Sequence, residues 1–253
     1  MQPIQFNTID NISAVLDEIK QQAHVPVSAF KVAAMAVNTE GLAVCATNWE
    51  FLQSQTGHSN TVHAEQAAVA LARFYNLGNI ERIYVTEWPC GHCRQFLCEL
   101  GKPDLEIIHT PTNETVILRH LLTESFSWNP QSTEEIAVTA RLKLSLEAEK
   151  LLSQTHHPYS ETESAVIIST QSGKLYTGTL IESNAYNPTL PAFQAAWIAY
   201  WFERNMSDPI AKIVMQESKN NSIYYRLQAE DCIRSLQDEG LLSKAVRFEY
   251  ATI

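Results

Sequence analysis

The sequence is poor in glycine, poor in positive charge and without any long apolar run. Eight glycines among 253 residues, 45% of them apolar, exclude a collagen-like repeat and a weakly hydrophobic disordered chain, and leave room for one large core or two modest ones. Eighteen Lys and Arg stand against 28 Asp and Glu, a net charge of −10 that disfavours phosphate backbones and anionic membranes as partners. Both halves share the deficit, −6 over residues 1–126 and −4 over 127–253, and neither end is a charged tail. No stretch reaches the roughly 20 apolar residues of a membrane helix, and no positive segment followed by an apolar one opens the chain. A cytoplasmic protein without membrane or nucleic-acid partners is expected. The cysteines, Cys45, Cys90, Cys93, Cys98 and Cys232, are odd in number, and three fall within nine positions. That pattern suits metal binding or free thiols better than a disulfide framework.

What is present is a repeat. His24-Val-Pro-Val-Ser28, an apolar segment, Gly41-Leu-Ala-Val44, Asn48-Trp-Glu50 and His63-Ala-Glu-Gln66 at the head of an Ala-rich run follow one another in the first half. His156-His-Pro-Tyr-Ser160, Ala165-Val-Ile-Ile168, Gly173-Lys-Leu-Tyr176, Ile181-Glu182 and Pro191-Ala-Phe-Gln194 follow in the same order in the second, offset by 132 residues at the start and 128 at the last pair. His63 and Glu65 thereby align with Pro191 and Phe193, so the second copy keeps an apolar core and loses the groups that bind a metal or move a proton.

Each copy reads as helix, two strands, helix, strand, helix, strand. Ile12–Gln22 is amphipathic, and Lys31–Val37 and Leu42–Thr47 are strands joined by the turn-like Asn38-Thr-Glu-Gly41. Val62–Asn76 is helical with Gly78 as its stop, Arg82–Thr86 is a buried strand, Gly91–Leu100 is a helix ended by Gly101, and Leu105–His109 is a strand. The expected fold class is α/β, two similar α-β-α three-layer domains each with a mixed sheet. The first domain is placed at residues 1–128 and carries the chemistry. The second, degenerate one is placed at 129–253, entered through a charged helix over Gln131–Ser153.

His63-Ala64-Glu65, followed 27 residues after the histidine by Cys90-Gly-His-Cys93, is the strongest chemical signal. Two cysteines three apart at a helix start share one face, where unpaired backbone N–H groups help to hold thiolates. Two Cys and one His give zinc three protein ligands and leave a fourth position for water, the pattern of a catalytic rather than a structural site. Glu65 is near enough to act as base on that water, which the ion acidifies from a pKa of 15.7 toward about 7. The arrangement resembles the H-x-E…P-C-x-x-C signature of zinc nucleobase deaminases. A closed zinc knuckle with His92 or Cys98 as fourth ligand is the competing reading, but it gives Glu65 nothing to do. Cys45, Cys98 and Cys232 read as core. Arg94 fits equally well beside a thiolate or in a surface ion pair. His156-His157 lacks acidic or thiol partners at useful spacing and reads as a solvated loop. Trp197, Tyr200, Trp201 and Phe202 recur at helical spacing and read as core or dimer seam. Taken alone, Asn48 and Glu50 read as a solvated strand end, and Phe30 as core.

From about Val25 onward the sequence resembles the cytidine deaminases, in particular the dimeric kind whose subunit pairs an active domain with a degenerate copy. The segments that carry the resemblance are Val27-Ser-Ala-Phe30, Asn48-Trp-Glu50, Val62-His-Ala-Glu-Gln66, Pro89-Cys-Gly-His-Cys-Arg-Gln-Phe96 and Asn187-Pro-Thr-Leu-Pro191. The resemblance implies a cytidine deaminase-like fold, one Zn²⁺ per chain on His63, Cys90 and Cys93, Glu65 as proton shuttle, Asn48 and Glu50 at the ribose, and Phe30 against the ring. Ala64 and Trp88 join the implied substrate pocket. Phe126, with the Ala185-Tyr186-Asn187 loop, is implied to close it from the partner subunit of a homodimer. An additional N-terminal helical segment of the dimeric kind is expected to be mostly missing. Ala33 stands where a glycine is usual, Trp88 where Ser or Thr precedes Pro-Cys, and Ser127-Trp128 where Gly-Pro follows the phenylalanine. The implied reaction is hydrolysis of cytidine and 2′-deoxycytidine to the uridines with release of ammonia, a step of pyrimidine salvage. The alternatives are a deaminase of nucleotides or single-stranded nucleic acid, which would need basic residues this chain lacks, and a zinc-stabilised binding protein whose pocket Trp88 fills.

Overall fold

Two mixed sheets are built on one plan. The computed structural model describes residues 2–52, 61–126, 151–204 and 207–253. The first half contains β1 (Ile4–Gln5), α1 (Ile12–Lys20), β2 (Ala33–Asn38), β3 (Leu42–Thr47), β4 (Trp49–Glu50), β5 (Thr61–Val62), α2 (Ala64–Tyr75), β6 (Ile80–Val85), α3 (Gly91–Leu97), β7 (Glu106–His109), β8 (Glu114–Ile117) and α4 (Leu118–Leu121). The second contains β9 (Ser164–Thr170), β10 (Leu175–Thr179), α5 (Ala192–Glu203), β11 (Ile210–Glu217), α6 (Arg226–Asp238) and β12 (Arg247–Thr252).

The first sheet has the order β1-β3-β2-β6-β7-β8 and the second β10-β9-β11-β12. In each, an antiparallel hairpin is extended by a third antiparallel strand and then by a parallel one, β3-β2-β6-β7 matching β10-β9-β11-β12. The match extends to side chains. Glu50 Oε2 accepts the amides of Val27 at 2.8 Å and Ser28 at 3.1 Å; Glu182 Oε2 accepts those of Tyr159 at 2.8 Å and Ser160 at 3.1 Å.

Strand alternation explains the layers. On β2, Ala33, Met35 and Val37 pack with Leu16 and Ile19 of α1, whereas Ala34 and Ala36 join the core beneath α2. On β9, Ala165 and Ile167 pack with Leu151 and Leu152, and Val166 and Ile168 face the α5 side. Both sheets are thus covered on two faces. Small residues let α2 sit centrally: every residue from Ala64 to Ala72 is buried. It lies against α5, and one continuous core joins the two halves. Trp197 and Trp201 of α5 pack edge-on to Trp49, ring centroids 5.5 and 4.4 Å away, so the aromatic stripe is core. Gly178 on β10 makes that packing possible, because a Cβ there would overlap Ala196 N and Ala192 O.

Asn11 caps α1 through Ala14 N at 3.0 Å. Buried Asn38 closes the β2–β3 turn by accepting from Glu40 N at 3.0 Å and Leu42 N at 2.7 Å, with Gly41 at φ +76°. Several expectations are corrected. Val62 belongs to β5, paired with Trp49, and the helix begins at Ala64 after an extended His63. The helix stops at left-handed Asn76, before Gly78, because Leu77 N already reaches back to Ala72 O. β1, β8 and α4 are two to four residues long and too short to show a period. His156 is buried rather than solvated, its Nε2 3.6 Å from Glu99 Oε2. The boundary expected at 128/129 and most of the helix expected over Gln131–Ser153 lie outside the described residues.

Candidate metal centre and active site

Two helix N-termini meet at the metal donors. His63 is the residue before α2 and Cys90 the residue before α3, both extended, so each projects from a helix end while Cys93 follows within the first turn of α3. Positive ends of two helices thereby flank the thiols. His63 Nδ1 lies 3.6 Å from Cys90 Sγ, the two sulfurs are 3.8 Å apart, and all three donor atoms fall within 4.8 Å of one another. Zn–S and Zn–N bonds of about 2.3 and 2.1 Å at tetrahedral angles require donor separations of about 3.8 Å (S to S) and about 3.6 Å (N to S). The residues present therefore fit a tetrahedral zinc. Among the described residues no further donor joins this cluster. His92 stacks on His63 with centroids 4.7 Å apart, and Cys98 Sγ bonds Arg94 O at 3.3 Å, so the closed-knuckle reading has no fourth ligand here.

Glu65 is 3% exposed, and its Oε2 accepts from Cys93 Sγ at 3.2 Å. Burial, ahead of every other influence, raises its pKa above the usual carboxylate range. Hydrogen bonding from Cys93, then from His63, lowers Cys90 to about 3, so it is a thiolate. Cys93 is pushed up by that thiolate, by burial and by Glu65, and the bond to Cys90 raises His63.

Beside the cluster lies a cavity of about 300 Å³. Phe30, Asn48, Glu50, Ala64, Glu65 and Trp88 all line it, together with His63 and Cys90 of the donor cluster. Asn48 and Glu50 are buried, not a solvated strand end. The Asn48 amide accepts from Val32 N at 2.9 Å and donates to Phe30 O at 2.8 Å, which fixes its orientation. For Glu50, burial alone would raise the pKa, but bonds from the Ser28 hydroxyl and the Ser28 and Val27 amides outweigh it and the carboxylate sits below its ordinary range. Trp88 stacks on His109, centroids 4.9 Å apart, and leaves the cavity open.

Phe126 does not line the cavity of its own chain; its backbone is tied to Gln95 at 3.1 and 3.2 Å and its ring is 55% exposed. Arg94 takes neither expected role, donating to Pro89 O at 2.7 Å and Leu121 O at 3.0 Å. Glu87 and Thr61 also line the cavity and were not anticipated. Their signal was adjacency, Thr61 two residues before His63 and Glu87 before Trp88-Pro89-Cys90.

A His-Cys-Cys donor set that fits zinc, with a buried carboxylate beside it and a cavity against it, is the arrangement of a hydrolytic zinc enzyme. Residues 8–108 and 100–230 each match a family model described as "Cytidine and deoxycytidylate deaminase zinc-binding region". A cytidine deaminase from Pasteurella multocida is 32% identical over 84% of this chain and 74% of its own length. One from Pectobacterium carotovorum is 35% identical over 69% and 61%. A solved cytidine deaminase from Burkholderia pseudomallei is 31% identical over 45% of this chain and 94% of its own, with a TM-score of 0.38. The chain belongs to the cytidine and deoxycytidylate deaminase family.

Proposed function

We propose that the protein hydrolyses cytidine and 2′-deoxycytidine to uridine and 2′-deoxyuridine with release of ammonia. The observation that carries this reading is a buried carboxylate, Glu65, in the lining of a nucleoside-sized cavity beside a His-Cys-Cys cluster. Zinc, when bound by His63, Cys90 and Cys93, supplies an acidified water and a positive field. Glu65 takes a proton from the attacking water and delivers it to pyrimidine N3 as the oxygen bonds to C4. A second proton passes through Glu65 to the amino group, the C4–N bond breaks, and ammonia leaves. The Asn48 amide and the Glu50 carboxylate, both lining the cavity, offer the donors and acceptors that suit a sugar hydroxyl. Phe30, Ala64 and Trp88 supply the walls against the base.

The cavity supports a neutral substrate. Glu50, Glu65 and Glu87 line it, and no Lys or Arg does so among the described residues. Turnover followed by the fall in ultraviolet absorbance is expected with cytidine, with kcat/KM for its monophosphate lower by about 100-fold or more, because like charges are forced together. Equal rates on the two, or a faster single strand, overturn the choice of substrate.

The domain boundary at 128/129, with a catalytic first and a degenerate second domain, is part of the same proposal, as are a place in pyrimidine salvage and a cytoplasmic location, which five free thiols support. So is a homodimer. Phe30, at the cavity, is 57% exposed, and Val27, Phe126 and Tyr186 are 71, 55 and 40% exposed, an apolar set that a partner subunit would cover. In that reading Phe126 and the 185–187 loop of the partner complete the pocket. Sedimentation is expected to give a dimer; a fully active monomer contradicts it.

A further inference from the structure

One side chain joins the metal centre to the second half of the chain. Gln66, immediately after Glu65, is 1% exposed and uses both ends of its amide. Its Oε1 accepts the backbone N–H of His63 at 3.2 Å, and its Nε2 donates to Pro188 O at 2.8 Å. Pro188 lies in a segment that is itself fixed: Ser183 N donates to Thr189 Oγ1 at 3.0 Å, and Leu190 and Ile181 exchange backbone bonds at 2.9 and 3.0 Å. The same segment is anchored to the cysteine-bearing side. Glu99, six residues beyond Cys93, accepts Asn184 N at 2.8 Å through one oxygen and the Tyr159 hydroxyl at 2.7 Å through the other. Residues 183–190 therefore brace α2 and the end of α3 at once, although they contribute no donor to the metal cluster.

We propose that Gln66 is a positioning residue through which the degenerate half sets the place of His63, and with it the geometry of the zinc centre. The argument is one of tolerance. A tetrahedral site and its base work only when held to about 0.5 Å, and that precision comes from buried hydrogen bonds behind the ligands. His63 is the N-cap of α2: its C=O accepts Ala67 N at 2.9 Å, but its backbone N–H has no partner in the helix ladder and is held by Gln66. The inference rests on reading this cluster as the zinc centre of a deaminase, so its test includes readouts that do not depend on turnover.

Gln66→Met keeps the length of the side chain and removes both bonds. Zinc affinity by chelator competition and kcat are each expected to fall about 10–100-fold, with KM within about threefold. In the cobalt-substituted protein the visible d–d bands are expected to shift, reporting altered coordination. Thr189→Val loosens the brace from the other side without touching α2, and is expected to move the same bands and lower kcat by a smaller factor. If Gln66→Met is insoluble, the threonine variant carries the test alone. Unchanged cobalt spectra and metal affinity, with only a lower melting temperature, make Gln66 a packing residue and overturn the inference. A wild-type protein that binds zinc but does not turn over cytidine overturns the proposed function instead, and leaves the spectroscopic test standing.

Discussion

Glu65→Gln is expected to lower kcat for cytidine by about 10³–10⁴-fold while zinc stays at one per chain and KM changes only a few-fold. The substitution keeps shape and loses only the capacity to take up and release a proton. Glu65 stands at 3.2 Å from the Cys93 sulfur, nearly sealed from solvent, where burial favours the protonated form. Burial that raises the pKa of Glu65 makes it a better proton acceptor than an exposed carboxylate, which suits a group that must take up a proton and then pass it on. Each turnover asks this of it twice, at N3 and at the leaving amine, so no single-step bypass restores the rate. Because the glutamine carries no charge that burial penalises, the folded protein is expected to be no less stable than wild type. The fall in cytidine absorbance measures the rate and metal analysis the zinc. Wild-type turnover by Glu65→Gln would remove Glu65 from the mechanism altogether.

At the helix ends that match the metal donors of the first half, the second half carries other residues. Where His63 precedes α2, Pro191 precedes α5, and where Cys90 precedes α3, Tyr225 precedes α6, with Gln228 three residues on in the place of Cys93. Tyr225 N donates to buried Glu217 at 2.8 Å, so a carboxylate and a backbone amide hold the helix end there. The carboxylate clamp that orients the preceding loop survives in both halves, as Glu50 and Glu182. The second half is also bonded to the first through Gln66 and Glu99, the links on which the proposed positioning role rests.

The sequence made the four-strand plan of each half legible because buried strands and helices there are long enough to show their periods, and because the repeat offered each reading twice. His63, Glu65, Cys90 and Cys93 were legible because metal and proton chemistry leaves few choices of residue type. Other features left weaker traces. β1 and β4 have two residues each, and pairing rather than propensity makes them strands. His156 reads as polar and loop-like, yet Glu99 from the other half sits beside it in the core, a contact 57 residues away along the chain that no local pattern encodes. Glu87 and Gln66 matter through what lies across the cavity or across the domain junction, which only the assembled fold brings near.

Zinc affinity is expected to tighten by at least about tenfold for each unit of pH between 6 and 8, and more steeply at the acid end. The sign follows from which donors hold protons before the metal arrives. Cys90, lowered to about 3, is already a thiolate throughout this range and contributes no pH dependence. Cys93, raised by the neighbouring thiolate, burial and Glu65, remains a thiol and must release its proton to bind, at any pH in the window. His63, raised through its bond to Cys90, adds a second proton wherever it is still an imidazolium. One released proton corresponds to a tenfold change in apparent affinity per pH unit, and two to a hundredfold. Zinc stabilises the native state only to the extent that it binds it, so the melting-temperature gain on adding a fixed excess of metal shrinks as pH falls. Chelator competition at pH 6, 7 and 8, corrected for the chelator's own protonation, measures the slope. Calorimetric titration in buffers of different ionisation enthalpy counts the protons directly. A pH-independent affinity would mean that both sulfurs are thiolates and His63 is neutral before the metal binds, and would contradict the raised positions of Cys93 and His63.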